Sequence, residues 1–132
     1  MGSLPEREME DRVCNFYYAI KTENIEAMLA VCAENISLAW GPFQFDGQEE
    51  LKRWATEMWY HFKDIKFARF ELQCTPHEDT VSSMFDIEVT NLNGPRGRLV
   101  GSGAFELFKG KIQDIKINLL SGFIFCKQQD MM

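Results

Sequence analysis

The sequence predicts one α+β domain, with three helices packed on a strongly curved, mainly antiparallel sheet. Three observations carry this. Apolar residues recur at three- and four-residue steps near the start and again after Asp46-Gly47. From Asp64 onward the apolar period drops to two, in runs separated by Pro, Asn, Asp and Gly. The length, 132 residues, suits a single domain, with a core at about residues 8–120 and a C-terminal tail from 121.

The first helix follows Pro5, and its Glu6, Glu8, Glu10 and Asp11 favour the positive end of the helix dipole. Met9, Val13, Phe16, Tyr17 and Ile20 form its apolar stripe. Asn24 is placed to cap a short second helix with Ile25, Met28, Leu29 and Cys32 on one face. Ile36, Leu38 and Trp40 then alternate with small or polar residues, as in a strand, until Gly41-Pro42. The third helix carries Leu51, Ala55, Met58 and Phe62, flanked by Trp54 and Trp59. Ile65 and Phe67 alternate in one phase and Phe70, Leu72 and Cys74 in the other, which predicts a bulge near Ala68-Arg69. Strands follow at Val81–Val89, Leu99–Leu107 and Ile115–Leu119, with Lys109-Gly110 as a two-residue hairpin turn. In the tail, Phe123-Ile124-Phe125 is apolar enough to dock.

Composition excludes several classes. The net charge is −6, against a nucleic-acid partner, whose binding needs clustered positive charge. No apolar run approaches the ~20 residues of a membrane span. Cys14, Cys32, Cys74 and Cys126 are scattered, without the paired spacing of a zinc or redox site. No metal and no cofactor is expected. Reduced thiols and a start without signal-peptide character point to the cytoplasm.

The order of three segments resembles the nuclear transport factor 2-like superfamily, in its SnoaL-like and ketosteroid-isomerase-like branch. These are Phe16-Tyr17-Tyr18-Ala19-Ile20 with Asn24-Ile25-Glu26-Ala27-Met28 and Ala33-Glu34-Asn35-Ile36; Phe45-Asp46-Gly47-Gln48-Glu49-Glu50-Leu51; and Phe105 to Ile112. The resemblance implies a curved sheet wrapped around the helices to leave a conical pocket. It leaves chemistry open, since the superfamily includes isomerases, dehydratases, cyclases, epoxide hydrolases and non-enzymatic binding proteins.

The catalytic positions that the resemblance implies are not matched. A steroid isomerase needs a carboxylate base at the end of the first strand, where this chain has Trp40. The oxyanion-donating tyrosine falls on Phe16, with Tyr17 adjacent. The second donor, a protonated carboxyl, has no counterpart in the acid-free segment Leu99–Phe105. The late acid of the polyketide-cyclase branch falls on Leu120. Asp86 and His61 are the remaining catalytic candidates. Asp86 is out of phase with Phe85 and Ile87, which favours an ion pair with Arg98 or Lys116 on the outer sheet face over a catalytic place. His61 suits a cation at the negative end of the third helix better than a pocket base or donor.

The inward phase is apolar, so a ligand pocket is expected from Phe16, Tyr17, Leu38, Trp40, Trp59, Phe85, Gly101, Gly103, Ile115, Ile117 and Leu119. The two glycines are either a ligand notch or a bend in the sheet. Two functions stay open: binding of a small, mostly apolar molecule, or a non-catalytic scaffold that pairs through the outer face as a homodimer. That face would carry Met84, Val100, Ala104 and Phe108 among Asp86, Arg98, Glu106 and Lys116.

Overall fold

The computed structural model describes residues 4–121. The expected docking of Phe123-Ile124-Phe125 lies outside the described residues. Helix α1 spans Glu6–Thr22, α2 Ile25–Ala30 and α3 Gly47–His61. The strands are β1 Cys32–Trp40, β2 Phe43–Asp46, β3 Phe62–Thr75, β4 Thr80–Asn91, β5 Arg96–Phe108 and β6 Lys111–Ser121, with a 3₁₀ turn at Pro76–Glu78.

Helix α1 ends where Glu23 turns left-handed, at φ 55°. The amide of Glu23 donates to the Ile20 carbonyl and that of Asn24 to the Ala19 carbonyl, the paired bonds of a Schellman close. Asn24 immediately starts α2 by accepting from the Ala27 amide at 3.1 Å. Cys32, expected on the face of α2, instead opens β1, because the helix stops at Ala30. At α3 the amide of Asp46 donates to Glu50 Oε1 at 2.7 Å, which fixes the first turn.

The six strands lie in the order β2-β1-β6-β5-β4-β3. Every neighbouring pair is antiparallel except β1 and β6, so the sheet is mixed rather than wholly antiparallel. The short edge strand β2 had no sequence signal, and Phe62 begins β3 rather than ending α3. The expected bulge is present between Phe67 and Arg69, and a second lies between Lys63 and Lys66, where Asp64 has φ 52°. These irregularities bend the sheet, because the extra residue increases local twist. The hairpin between β5 and β6 turns through Lys109 and Gly110, with φ 52° and 82°, the sign that matches strand twist.

One face of the sheet is covered by α1 and α3. On β4, Val81, Ser83, Phe85, Ile87 and Val89 are buried, and on β5 Leu99, Phe105 and Leu107 are. The core centre is Phe16, Leu38, Phe105, Ile112 and Ile115, each 0% exposed. The opposite face carries the exposed Met84 and Phe108.

Candidate functional site

A cavity opens where α1 and α3 meet the bent sheet. Helix α1 contributes Tyr17 and Ile20, and α3 contributes Trp54 and Met58. The sheet supplies Trp40 from β1, Phe62 and Ile65 from β3, Phe85, Ile87 and Val89 from β4, Leu99 from β5 and Ile117 from β6. The cavity volume is about 30 Å³, and the free space with the open mouth counted is about 440 Å³. No side chain of the wall carries a formal charge.

Of the expected pocket residues, Tyr17, Trp40, Phe85 and Ile117 line this space. Phe16, Leu38 and Ile115 are packed in the core behind it, and Leu119 is half-buried outside it. Trp59 is buried too, its indole N–H donating to the Ile20 carbonyl at 2.9 Å. The glycines do not form a ligand notch. A Cβ on Gly101 would lie 2.4 Å from the Asn118 carbonyl oxygen and 2.9 Å from the Phe85 ring. One on Gly103 would lie 2.8 Å from the Tyr17 hydroxyl and 2.9 Å from Ser83 Oγ. Both sites are filled by the protein itself.

The spacing of Ile20 three residues beyond Tyr17, and of Met58 four beyond Trp54, was available as a signal that each pair shares a helix face. Phe62 and Ile65 were not recoverable that way, because their common face depends on the bulge at Asp64.

Tyr17 is the one wall residue with a hydroxyl. Its oxygen lies 2.8 Å from Ser83 Oγ, and Ser83 donates to the Gly103 carbonyl at 3.3 Å. A carbonyl only accepts and a hydroxyl has one proton, so the chain runs Tyr17 to Ser83 to Gly103. The donor of Tyr17 is therefore spent within the protein. Burial pushes its phenol well above the usual range, which keeps it neutral. Its ring meets Phe70 and Phe105 edge-on, at 4.9 and 5.5 Å between centroids.

The two catalytic candidates stand away from the cavity. Asp86 pairs with Arg98 on the outer face, and the guanidinium hydrogen bond holds its carboxyl below the usual range. His61 is exposed at the end of α3, edge-on to Tyr60 at 5.2 Å. Burial pushes the Cys32 thiol up to about 12, so it is no nucleophile. Among the described residues no group of His, Cys, Asp and Glu could hold a metal ion, and no helix is long and apolar enough to cross a membrane.

Three helices packed on a curved six-stranded sheet, with an apolar cavity between them, define a nuclear transport factor 2-like domain. The SnoaL-like domain family matches residues 13–115, and the chain belongs to it. The fold is shared with a candidate polyketide cyclase from Silicibacter sp. TM1040, at TM-score 0.80 and 16% identity over 89% of this chain and 92% of that one. It is shared with a candidate isomerase from Bacillus subtilis, at TM-score 0.78 and 12% identity, covering 89% and 90%. A third similar structure is the epoxide hydrolase/cyclase-like enzyme SalBIII of pyran ring formation in salinomycin, at 0.76 and 16%, covering 87% and 92%. No curated protein matches the sequence.

Proposed function

We propose that this SnoaL-like domain binds a small, mostly apolar molecule in the cavity between α1, α3 and the sheet. The observation that carries the reading is a wall without any Asp, Glu, His, Lys or Arg. The cavity itself, about 30 Å³, is far smaller than the roughly 300–1,000 Å³ of drug-sized sites, so the wall must open further to admit such a ligand. Proton abstraction needs a base within hydrogen-bond reach of the substrate, and the wall offers only the neutral, engaged Tyr17. The geometry therefore supports holding a ligand better than acid–base turnover. The cyclase and isomerase neighbours share the fold at identities that carry no mechanism.

The test is titration with the neutral dye N-phenyl-1-naphthylamine, whose emission rises in apolar surroundings. The expected result is saturable binding that Ile87→Trp abolishes, with circular dichroism unchanged. Equal binding by Ile87→Trp would remove the cavity as the site.

A second reading rests on the outer sheet face, where Met84 is 52% and Phe108 58% exposed. Val100 and Ala104 lie in the same phase, beside the Asp86–Arg98 pair. A second copy docked there would bury the apolar members and leave the charges as a polar rim. Sedimentation of the wild type and of Met84→Lys decides it: a dimer that the substitution dissociates supports the reading. A single species near 15.3 kDa removes it.

A further inference from the structure

Strand β5 begins at Arg96, but its ladder with β6 starts only at Val100, which faces Ser121. On its other side β5 is paired with β4 all the way to Arg96, which faces Thr90. Arg96, Gly97, Arg98 and Leu99 thus have a neighbouring strand on one side and, among the described residues, none on the other. An open strand edge offers backbone donors and acceptors to an extended segment that reaches it. The same stretch adjoins the cavity. Leu99 lines it, and so does Val89, the β4 partner of Gly97. Gly97 has no side chain, so β5 adds nothing to the inner face beside Val89.

We infer that this open edge is the docking site of the chain's own segment Gly122-Phe123-Ile124-Phe125, which extends β6 and sets Ile124 over the Gly97 end of the cavity. The segment starts where the open edge starts, at Ser121, so its tether gives it an effective concentration of about millimolar, ahead of a separate partner. Its length matches. Continuing the Val100–Ser121 register pairs Gly122 with Leu99, Phe123 with Arg98, Ile124 with Gly97 and Phe125 with Arg96. The apolar run gives way to Lys127 just beyond, and the edge stops at Pro95, which has no N–H to donate. Aromatic and β-branched residues suit the extended conformation that pairing needs. The alternation matches too. Gly97 and Leu99 belong to the inner face, while Arg96 and Arg98 belong to the outer face and pair there with Glu88 and Asp86. Ile124 then shares the inner face. Phe123 and Phe125 fall beside the two guanidinium groups, which attract aromatic rings. The docking is independent of the ligand-binding reading above. Its consequence rests on that reading: a ligand enters when the segment peels away from β5.

Nuclear Overhauser contacts and amide exchange in the full chain test the docking without any ligand. The expected result is backbone contact between Ile124 and Gly97 and between Phe123 and Arg98. The Arg96–Leu99 amides that face away from β4 should exchange about three- to tenfold more slowly than in Ile124→Asp or in a chain stopped after Ser121, the usual worth of one neutral hydrogen bond. N-phenyl-1-naphthylamine should associate with both variants faster than with the full chain, by a similar factor. Should the shortened chain fail to fold, Ile124→Asp and the wild-type contacts decide. Absence of these contacts, or Phe125 in place of Ile124 opposite Gly97, would overturn the inference and leave cavity binding intact. The same contacts found between labelled and unlabelled chains would give the edge to a second copy and overturn it as well. Contacts within one chain, with dye bound by none of the forms, would support the docking and remove the ligand reading. Contacts with equal association rates in all forms would overturn the hold of Ile124 on the cavity.

Discussion

Phe62 and Ile65 lie three residues apart on β3 and still line the same cavity. Simple alternation would send them to opposite faces. The extra residue at Asp64, with φ 52°, resets the phase between them. The same device recurs at Ala68, so that Phe67 and Phe70 both meet Tyr17, at 5.8 and 4.9 Å between centroids. Two bulges on one strand thus build the aromatic side of the cone.

Gly103→Ala should destabilise the domain by about 1–3 kcal/mol, the usual cost of overpacking. Its Cβ would sit 2.8 Å from the Tyr17 hydroxyl and 2.9 Å from Ser83 Oγ, a buried hydrogen-bonded pair that would have to shift. Adding Tyr17→Phe removes the hydroxyl and should recover part of the loss. Urea unfolding of the single and double variants measures that coupling; strict additivity would show that the contact is not the cause.

Stability should fall at high pH through Tyr17. Its folded pKa is raised, so the native state keeps a proton that the unfolded state releases. The contribution is fully present below the unfolded value, about 10, and is lost progressively as pH rises from there toward the folded value. In Tyr17→Phe that part of the pH dependence should vanish. Unfolding midpoints between pH 9 and pH 11 in both proteins provide the check.

Asp86→Asn should leave ligand binding in the cavity unchanged and barely alter stability at neutral pH. The Asp86–Arg98 pair lies at the surface, where such pairs contribute little. Because its carboxyl titrates low, the small contribution is present above the usual carboxylate range and lost as pH falls. Loss of dye binding in this variant would show that the outer face and the cavity are coupled.

Phe16→Ala and Trp40→Ala should differ. Phe16 is 0% exposed and edge-on to Phe105 at 5.6 Å, so its removal should cost about 3–5 kcal/mol. Trp40 is half-buried beside open space, so its loss should cost less, while admitting bulkier apolar ligands. Equal losses, measured by chemical unfolding, would place Trp40 in the packed core.

Ketosteroid isomerase turnover should stay at background. Trp40 stands where the resemblance places the base, and the Tyr17 proton is committed to Ser83. An assay with a standard 3-oxo-Δ5-steroid tests this directly; turnover abolished by Asp86→Asn would mean that Asp86 reaches a substrate.

Periodicity exposed the helices, the strand phases and the bulge at Ala68, because each leaves a local mark. The change of phase between Phe67 and Phe70 is visible without any tertiary information. What escaped depends on contacts between distant residues. Nothing near Gly101 announces the Asn118 carbonyl, and nothing near Gly103 announces Tyr17, so a filled site and an empty notch read alike in sequence. Strand β2 is four residues long and stands only because β1 is beside it. The cavity wall was legible where spacing on one element decides it, as for Tyr17 and Ile20. It was hidden where the bulge at Asp64 decides it.

The parallel pairing of β1 with β6 sets Cys32 beside Ile112 and Trp40 beside Ile117. During synthesis these partners leave the ribosome in sequence, at about 5–20 residues per second. For roughly 4–15 s the early helices and β1 are out while the strand that closes their sheet is still being made. Over that interval the apolar faces of α1 and α3 have no finished layer to cover them, and the nascent chain offers surface that a chaperone can hold. Stopping translation before residue 111 would yield no smaller version of the domain, only a polypeptide whose first strand still waits for its last.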